Sequence, residues 1–260
     1  MKGKKNCERG IAMPSVFLSP STQEYNPYIT GSGSEEYWMN QIADAMEPYL
    51  RANGITYGRN DPNTSAAAAI RQGNAGNYDF YLALHSNASG SGTDAGSARG
   101  IVAFYYPTSA NGRRGAELIA ENLRRIYPLP NRVTTRSTTA LGEVRQPRMP
   151  AVLVEIGYHD NVADALWIES NVVTIARQMV RALTEYFGIP FVDECMDRQA
   201  VVTTQGGNLN LRGGPSTDNA ILAQIPNGAA ITVCGRYNGW YSAVYNGIEG
   251  FVSGEYIRLV

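Results

Sequence analysis

The sequence predicts an α/β protein, a mostly parallel sheet with helices on both faces, followed by a small all-β barrel. Short apolar runs without alternation, "SVFLS", "DFYLALH", "IVAFYY" and "AVLVEIG", have the texture of strands covered on both faces. Helix-length patterns separate them, which is the βαβ rhythm. Beyond about residue 200 the helical patterns stop, and short alternating segments follow one another between turn signals.

Taken in order, "SVFLS" is the first strand and "EEYWMNQIADAMEPYLRANG" a helix, bent near Pro48 and closed by Gly54. "GAELIAENLRRIY" is helical, and "ADALWIESNVVTIARQMVRALTEYF" is helical in two pieces. The expected organisation is a disordered tail over 1–12, a larger domain over 13–190, a linker over 191–199 and the barrel over 200–260. In the last, "NLNLR", "AAITVCG", "GWYSAVY" and "EGFVSG" alternate with "GGPSTDN", "PNG" and "NG" turns.

Composition narrows the partners. A net charge of −1 over 260 residues gives no electrostatic reason to expect nucleic acid. No stretch approaches the ~20 apolar residues of a membrane span, so membrane insertion is not expected. The start "MKGKKNCERG" carries positive charge, but Glu8, Arg9 and Gly10 interrupt it before an apolar segment forms, so synthesis in the cytoplasm without a clear signal peptide is expected. Cys7, Cys195 and Cys234 lie far apart with no metal or redox spacing and are read as inert thiols. Oligomeric state is not legible in the sequence.

Ligands in parallel sheets bind just beyond the carboxyl ends of the strands. "DFYLALHSNA" delivers His85 there, and "PAVLVEIGYHDN" delivers Glu155 and His159. In the first helix Met39, Ile42 and Met46 mark the inward face, and Glu35 lies one turn before Met39 on it. An inward carboxylate at a helix start is a cap or a ligand. The chain has only two histidines, each at a strand end. Imidazole and carboxylate ligands with one open position make a catalytic zinc site, and a further carboxylate can carry the proton.

"LALHSNA" followed by "VRQPRMPAVLVEIGYHDN" resembles the zinc-dependent N-acetylmuramoyl-L-alanine amidases of the amidase-3 family, over about residues 14–188. The resemblance implies hydrolysis of the lactyl–L-alanine amide of peptidoglycan, with Zn2+ as cofactor. Glu35 and His85 carry over as zinc ligands and Glu155 as the catalytic carboxylate. Arg145, in "EVRQPRMPA", matches a position often basic in the family and is taken as a second catalytic residue. The family's first histidine, in a Gly-His-Gly after the first strand, is replaced by "SPSTQ". That loop is similar to a phage and Gram-positive branch with "HDN" after the catalytic Glu. His159 is therefore the expected third ligand, with Gln23 as the alternative, because imidazole binds zinc better than an amide oxygen. As a non-ligand, His159 would stand at the start of a helix capped by Asp160. "NPYITGSGSE" reads as a flexible loop near the metal, a substrate wall or lid.

"NLNLRGGPSTDNAILAQIPNGAAITVCGRYNGWYSAVYNGIEGFVSGEYI" resembles bacterial SH3-like (SH3b) domains, whose usual ligand is peptidoglycan. Arg212, Tyr237, Trp240, Tyr241 and Tyr256 are the expected wall-binding residues. Tethering an enzyme to its polymer raises local substrate concentration without a new catalytic contact. The expectation is an endolysin or autolysin acting at the bacterial cell wall. The rivals are a wall-binding protein with a degenerate metal site and a zinc peptidase acting within the stem peptide.

Overall fold

In the computed structural model, residues 13–90, 96–193, 198–212, 217, 221–237 and 239–260 are described, the side chains of 234–237 and 249 excepted. The expected tail over 1–12, part of the expected linker, and Cys7 and Cys195 lie outside the described residues.

The larger part is built from β1 (Ser15–Pro20), α1 (Glu35–Ala52), β2 (Thr56–Arg59), α2 (Ala66–Ala75), β3 (Phe80–Asn87), β4 (Ile101–Tyr105), α3 (Ala110–Arg124), β5 (Val133–Ser137), α4 (Gly142–Arg145), β6 (Ala151–Tyr158), α5 (Val162–Ser170) and α6 (Val172–Phe187). The sheet order is β2-β1-β3-β6-β4-β5. All its pairings are parallel except β4 with β6. From β1 the chain moves to β2 on one side, while β3 lies on the other. That reversal opens a crevice at the carboxyl ends of β1 and β3.

Side-chain alternation sorts each strand between two cores. Val16, Leu18, Phe80, Leu82, Leu84, Val152, Val154 and Ile156 join the large core, with Met39, Ile42 and Met46 of α1 and Ile175, Met179 and Leu183 of α6. Phe17, Tyr81, Ala83, Ala151 and Leu153 face the other way, against Ile70 of α2 and Val144 of α4. By the same period of two, Ser19, His85 and Glu155 lie on this second, thinner face.

Helix α1 is capped by Ser34, whose side chain accepts from Tyr37 N. It continues through Pro48 to Ala52, with Gly54 just beyond at φ 67°. Asn161, not Asp160, caps α5, its side chain accepting from Ala163 N and Asp164 N. Asp160 instead accepts from the backbone N–H groups of Ser89 (2.7 Å) and Gly90 (2.8 Å).

The smaller part comprises β7 (Arg198–Val202), β8 (Leu209–Arg212), β9 (Ile221–Ile225), β10 (Ala230–Tyr237), β11 (Trp240–Tyr245), β12 (Ile248–Ser253) and β13 (Ile257–Leu259). They form one antiparallel sheet in the order β13-β7-β10-β11-β12-β8-β9. Its own core contains Val202, Leu211, Ile225, Val233 and Val252. This is the small all-β unit that the turn spacing predicts, in the arrangement that the SH3-like resemblance implies.

Asp164 ties β6 to α5. One oxygen accepts from Arg99 Nε (2.8 Å) and Tyr127 OH (2.6 Å), the other from the N–H groups of Gly100 (3.1 Å) and Tyr158 (3.2 Å). The residue is fully buried, so its removal strands these donors. Asp164→Ala is expected to cost about 3–5 kcal/mol in denaturant unfolding. Glu117→Ala, which breaks the exposed Arg113–Glu117 pair, is expected to cost less than about 1 kcal/mol. Equal losses would contradict this ranking.

Candidate active site

The crevice is organised around His85, at the end of β3 and only 8% exposed. Its Nδ1 lies 2.8 Å from Glu35 Oε1, and its Nε2 lies 2.8 Å from Glu143 Oε2. Glu35 arrives from the first turn of α1, on the large-core side of the sheet, and Glu143 from the single turn α4, on the thin side. Both carboxylates are buried. Glu35 is steadied by Asn26 Nδ2 (2.7 Å). Glu143 Oε1 accepts from Ser19 Oγ (2.6 Å) and Tyr81 OH (2.8 Å).

Glu155 lies beside His85 in the β3–β6 register. Its Oε2 is buried and has no hydrogen-bond partner. Burial, reinforced by the charges of Glu35 and Glu143 and opposed by His85, pushes its pKa up to about 7. Burial alone would lower His85, but hydrogen bonds and charge from Glu143 and Glu35 raise it well above the usual histidine range. Burial alone would raise Glu35, but the hydrogen bond and charge of His85, with Asn26 and Ser21, bring it below the usual carboxylate value.

Gln23 Nε2 sits 3.4 Å from His85 Nδ1 and 3.5 Å from Glu35 Oε1. A hollow of about 360 Å³ opens over this group, lined by Ser21, Gln23, Tyr25, Ser65, His85 and Glu143 among others.

His159 does not join them. Its Nδ1 bonds the carbonyl of Ser86 (2.9 Å) and lies 3.1 Å from Ser86 Oγ, and its ring stacks on Tyr28 with centroids 5.8 Å apart. The cause is local: the β3–β6 register shifts between His85 and Asn87, and Gly157 adopts φ 73°. The alternation that would have returned His159 to the face of Glu155 is thereby broken. Arg145 is also elsewhere. It is exposed, donates to Thr139 O (3.4 Å) and lines a separate hollow with Ser109, Pro147 and Pro150. Among the described residues, no three His, Cys, Asp or Glu side chains are arranged to hold a metal ion. Glu35 and His85 are together, with Gln23 beside them. Glu143 is the site residue that sequence reasoning missed.

The loop before α1 is held, not loose. Tyr28 is buried, its hydroxyl donates to Ser86 Oγ (3.2 Å), and Thr30 (2.5 Å) and Ser32 (2.6 Å) both donate to Glu169 Oε1. Trp38 Nε1 donates to Ser32 Oγ (3.2 Å), which ties the loop to α1.

In the smaller part, Arg212, Trp240 and Tyr256 line a hollow of about 590 Å³ with Asn210, Thr217 and Glu255. Tyr241 packs against the core of that sheet instead. The side chain of Tyr237 lies outside the described residues.

Residues 19–185 match the family model described as N-acetylmuramoyl-L-alanine amidase, and residues 207–258 match that of the bacterial SH3 domain. N-acetylmuramoyl-L-alanine amidase LytC of Bacillus subtilis is 28% identical over 157 residues, covering 58% of this chain and 30% of the relative. A sporulation-specific N-acetylmuramoyl-L-alanine amidase of the same organism is 27% identical over 186 residues, covering 68% of this chain and 69% of the relative. The catalytic domain of CwlV, an N-acetylmuramoyl-L-alanine amidase from Bacillus (Paenibacillus) polymyxa var. colistinus, superposes with a TM-score of 0.59 at 17% identity, over 68% of this chain and all of that one. The match spans most of the α/β part and takes in Glu35, His85 and Glu155, and the chain belongs to the N-acetylmuramoyl-L-alanine amidase family, with a bacterial SH3 domain on its carboxyl side.

Proposed function

We propose that this chain hydrolyses the amide between the lactyl group of N-acetylmuramic acid and L-alanine in peptidoglycan, as a zinc-dependent enzyme of the endolysin or autolysin type. The observation that carries this reading is the buried, unpartnered carboxylate oxygen of Glu155 next to the Glu35–His85 pair, in a chain of this family.

The donor set suits a divalent cation. Glu35, Glu143 and Glu155 surround one imidazole, so the crevice holds more buried negative charge than His85 can balance. Imidazole nitrogen and carboxylate oxygen are donors that zinc accepts. Glu35 and His85 would hold the ion, with Gln23 the nearest further donor. When bound, the ion would supply Lewis-acid polarisation of the amide carbonyl.

The chain's own residues do the remainder. Glu155, poised near neutral pH, takes a proton from the attacking water and returns it to the departing amine of L-alanine. The new C–O bond replaces the C–N bond, leaving a lactyl carboxylate and a free stem peptide. Gln23, Tyr25 and Ser65 shape the hollow that receives the substrate.

The hydrolytic unit in this reading runs over 13–190, the linker over 191–199 and the wall-binding unit over 200–260. Arg212, Trp240 and Tyr256 supply one cation and two aromatic surfaces to a groove for wall peptides.

Three outcomes are expected. Digests of purified wall should release intact stem peptides beginning with L-alanine, detected by mass spectrometry, and a chelator should abolish release. Cleavage within the stem peptide would replace the amidase reading with the peptidase one, and wall binding without fragments would favour the non-catalytic one. Glu155→Gln should lower turnover by at least about 10²–10⁴-fold while leaving wall binding intact. Trp240→Ala should weaken sedimentation with insoluble wall without changing the fragments produced.

In metal-free protein the raised pKa of Glu155 also sets a pH trend. Folding disfavours its carboxylate, so the stability it permits is full below about pH 4.3 and is lost as pH rises through about 7. Glu155→Gln should therefore match wild type in acid and exceed it above pH 7 by on the order of 3–4 kcal/mol in denaturant melts. A pH-independent difference would contradict the buried-acid assignment.

A further inference from the structure

Glu143 plays no part in the family resemblance, yet it is among the most constrained side chains of the crevice. It is 5% exposed, and both its oxygens are engaged. Oε1 takes the hydroxyls of Ser19 and Tyr81, and Oε2 takes His85 Nε2. Tyr81 OH also lies 2.9 Å from Ser19 Oγ, so the two hydroxyls sit side by side over the one carboxylate oxygen. Two strands, β1 and β3, and the turn α4 therefore converge on one carboxylate at the edge of the hollow.

An ionised carboxylate only accepts hydrogen bonds, so the nitrogen facing it must carry a proton. In a neutral imidazole the other nitrogen then holds the lone pair. Both nitrogens of His85 face a carboxylate, Nδ1 that of Glu35 and Nε2 that of Glu143. With Glu35 and Gln23 turned to an ion, Nδ1 is the nitrogen left with its lone pair on their side, while Nε2 keeps its proton on Glu143. Histidines that bind metals commonly donate their second N–H to a carboxylate, which fixes both tautomer and ring direction. Glu143 meets that description, with Oε1 taken by two hydroxyls and Oε2 turned to Nε2.

We propose that Glu143 is a positioning residue for the metal centre: it holds His85 as the Nε2–H tautomer and so presents Nδ1, on the Glu35 side, to the cation. The inference rests on the zinc reading under Proposed function. In this arrangement the Glu143 side of the ring stays a hydrogen bond, and the Nδ1 side is the one offered to the ion.

The test uses the full chain and zinc itself. Affinity is measured by competition with a chromophoric chelator, and imidazole protonation by long-range ¹⁵N–¹H spectra of the zinc-loaded protein. Only two histidines contribute signals. Wild type should bind zinc with a metal-shifted Nδ1 and a protonated Nε2 on His85. Glu143→Leu should bind about 10–100-fold more weakly. Glu143→Gln, whose amide oxygen still accepts the Nε2 proton, should recover much of the loss. If the leucine variant does not fold, the double variant Ser19→Ala with Tyr81→Phe, which leaves the carboxylate unbraced, should weaken zinc in the same direction. Wild-type affinity in Glu143→Leu with an unchanged His85 spectrum would overturn the proposal, as would zinc on Nε2 in wild type, which would make Glu143 a ligand. Absence of zinc binding by wild type would instead sink the metal reading beneath it.

Discussion

The structure depends on one ring held from two sides. His85 stands at the end of β3, where carboxylates from opposite layers of the fold meet its two nitrogens, Glu35 from α1 and Glu143 from α4. Neither contact is possible unless the sheet is sandwiched, because each carboxylate is carried by the layer on its own face. Burying two acids on one base is costly without compensation. The compensation is visible in Asn26 on Glu35 and in Ser19 and Tyr81 on Glu143.

Glu155 is the exception among these carboxylates. It shares the face of His85 through strand register, yet one oxygen has no partner. Every neighbouring acid is steadied by donors while this one is left short of them. The result is a carboxyl that burial pushes up to about 7, beside two other acids that are buried and partnered. The hydrolase reading grows from that asymmetry.

Much of this was legible in the sequence because alternation and helical spacing are properties of the residues themselves. Glu35 follows from Met39, Ile42 and Met46, and His85 and Glu155 follow from the apolar runs they end. What was missed has physical causes. The short strands "TYGR" and "VTTRS" lie at the two edges of the sheet, where half-exposed positions leave no apolar signature. The reversal of β4 follows from a connection out of β3 that contains no described helix, which a rhythm of strands and helices does not reveal. Glu143 sits on a four-residue turn, too short for any period to show. His159 was misplaced because a register shift and a left-handed Gly157 interrupt the alternation used to position it. Arg145 was assigned from the family resemblance, whereas the turn of α4 sends Glu143 inward and leaves Arg145 in solvent.

The central claim is that Glu35 and His85 form the metal-holding pair and that His159 does not. Anomalous diffraction at the zinc edge from crystals of the zinc-loaded protein tests it most directly. The account predicts one strong peak beside His85 Nδ1 and Glu35, with His159 still bonded to the Ser86 carbonyl. A peak on His159, or zinc bound with Glu35 turned away from it, would contradict the account.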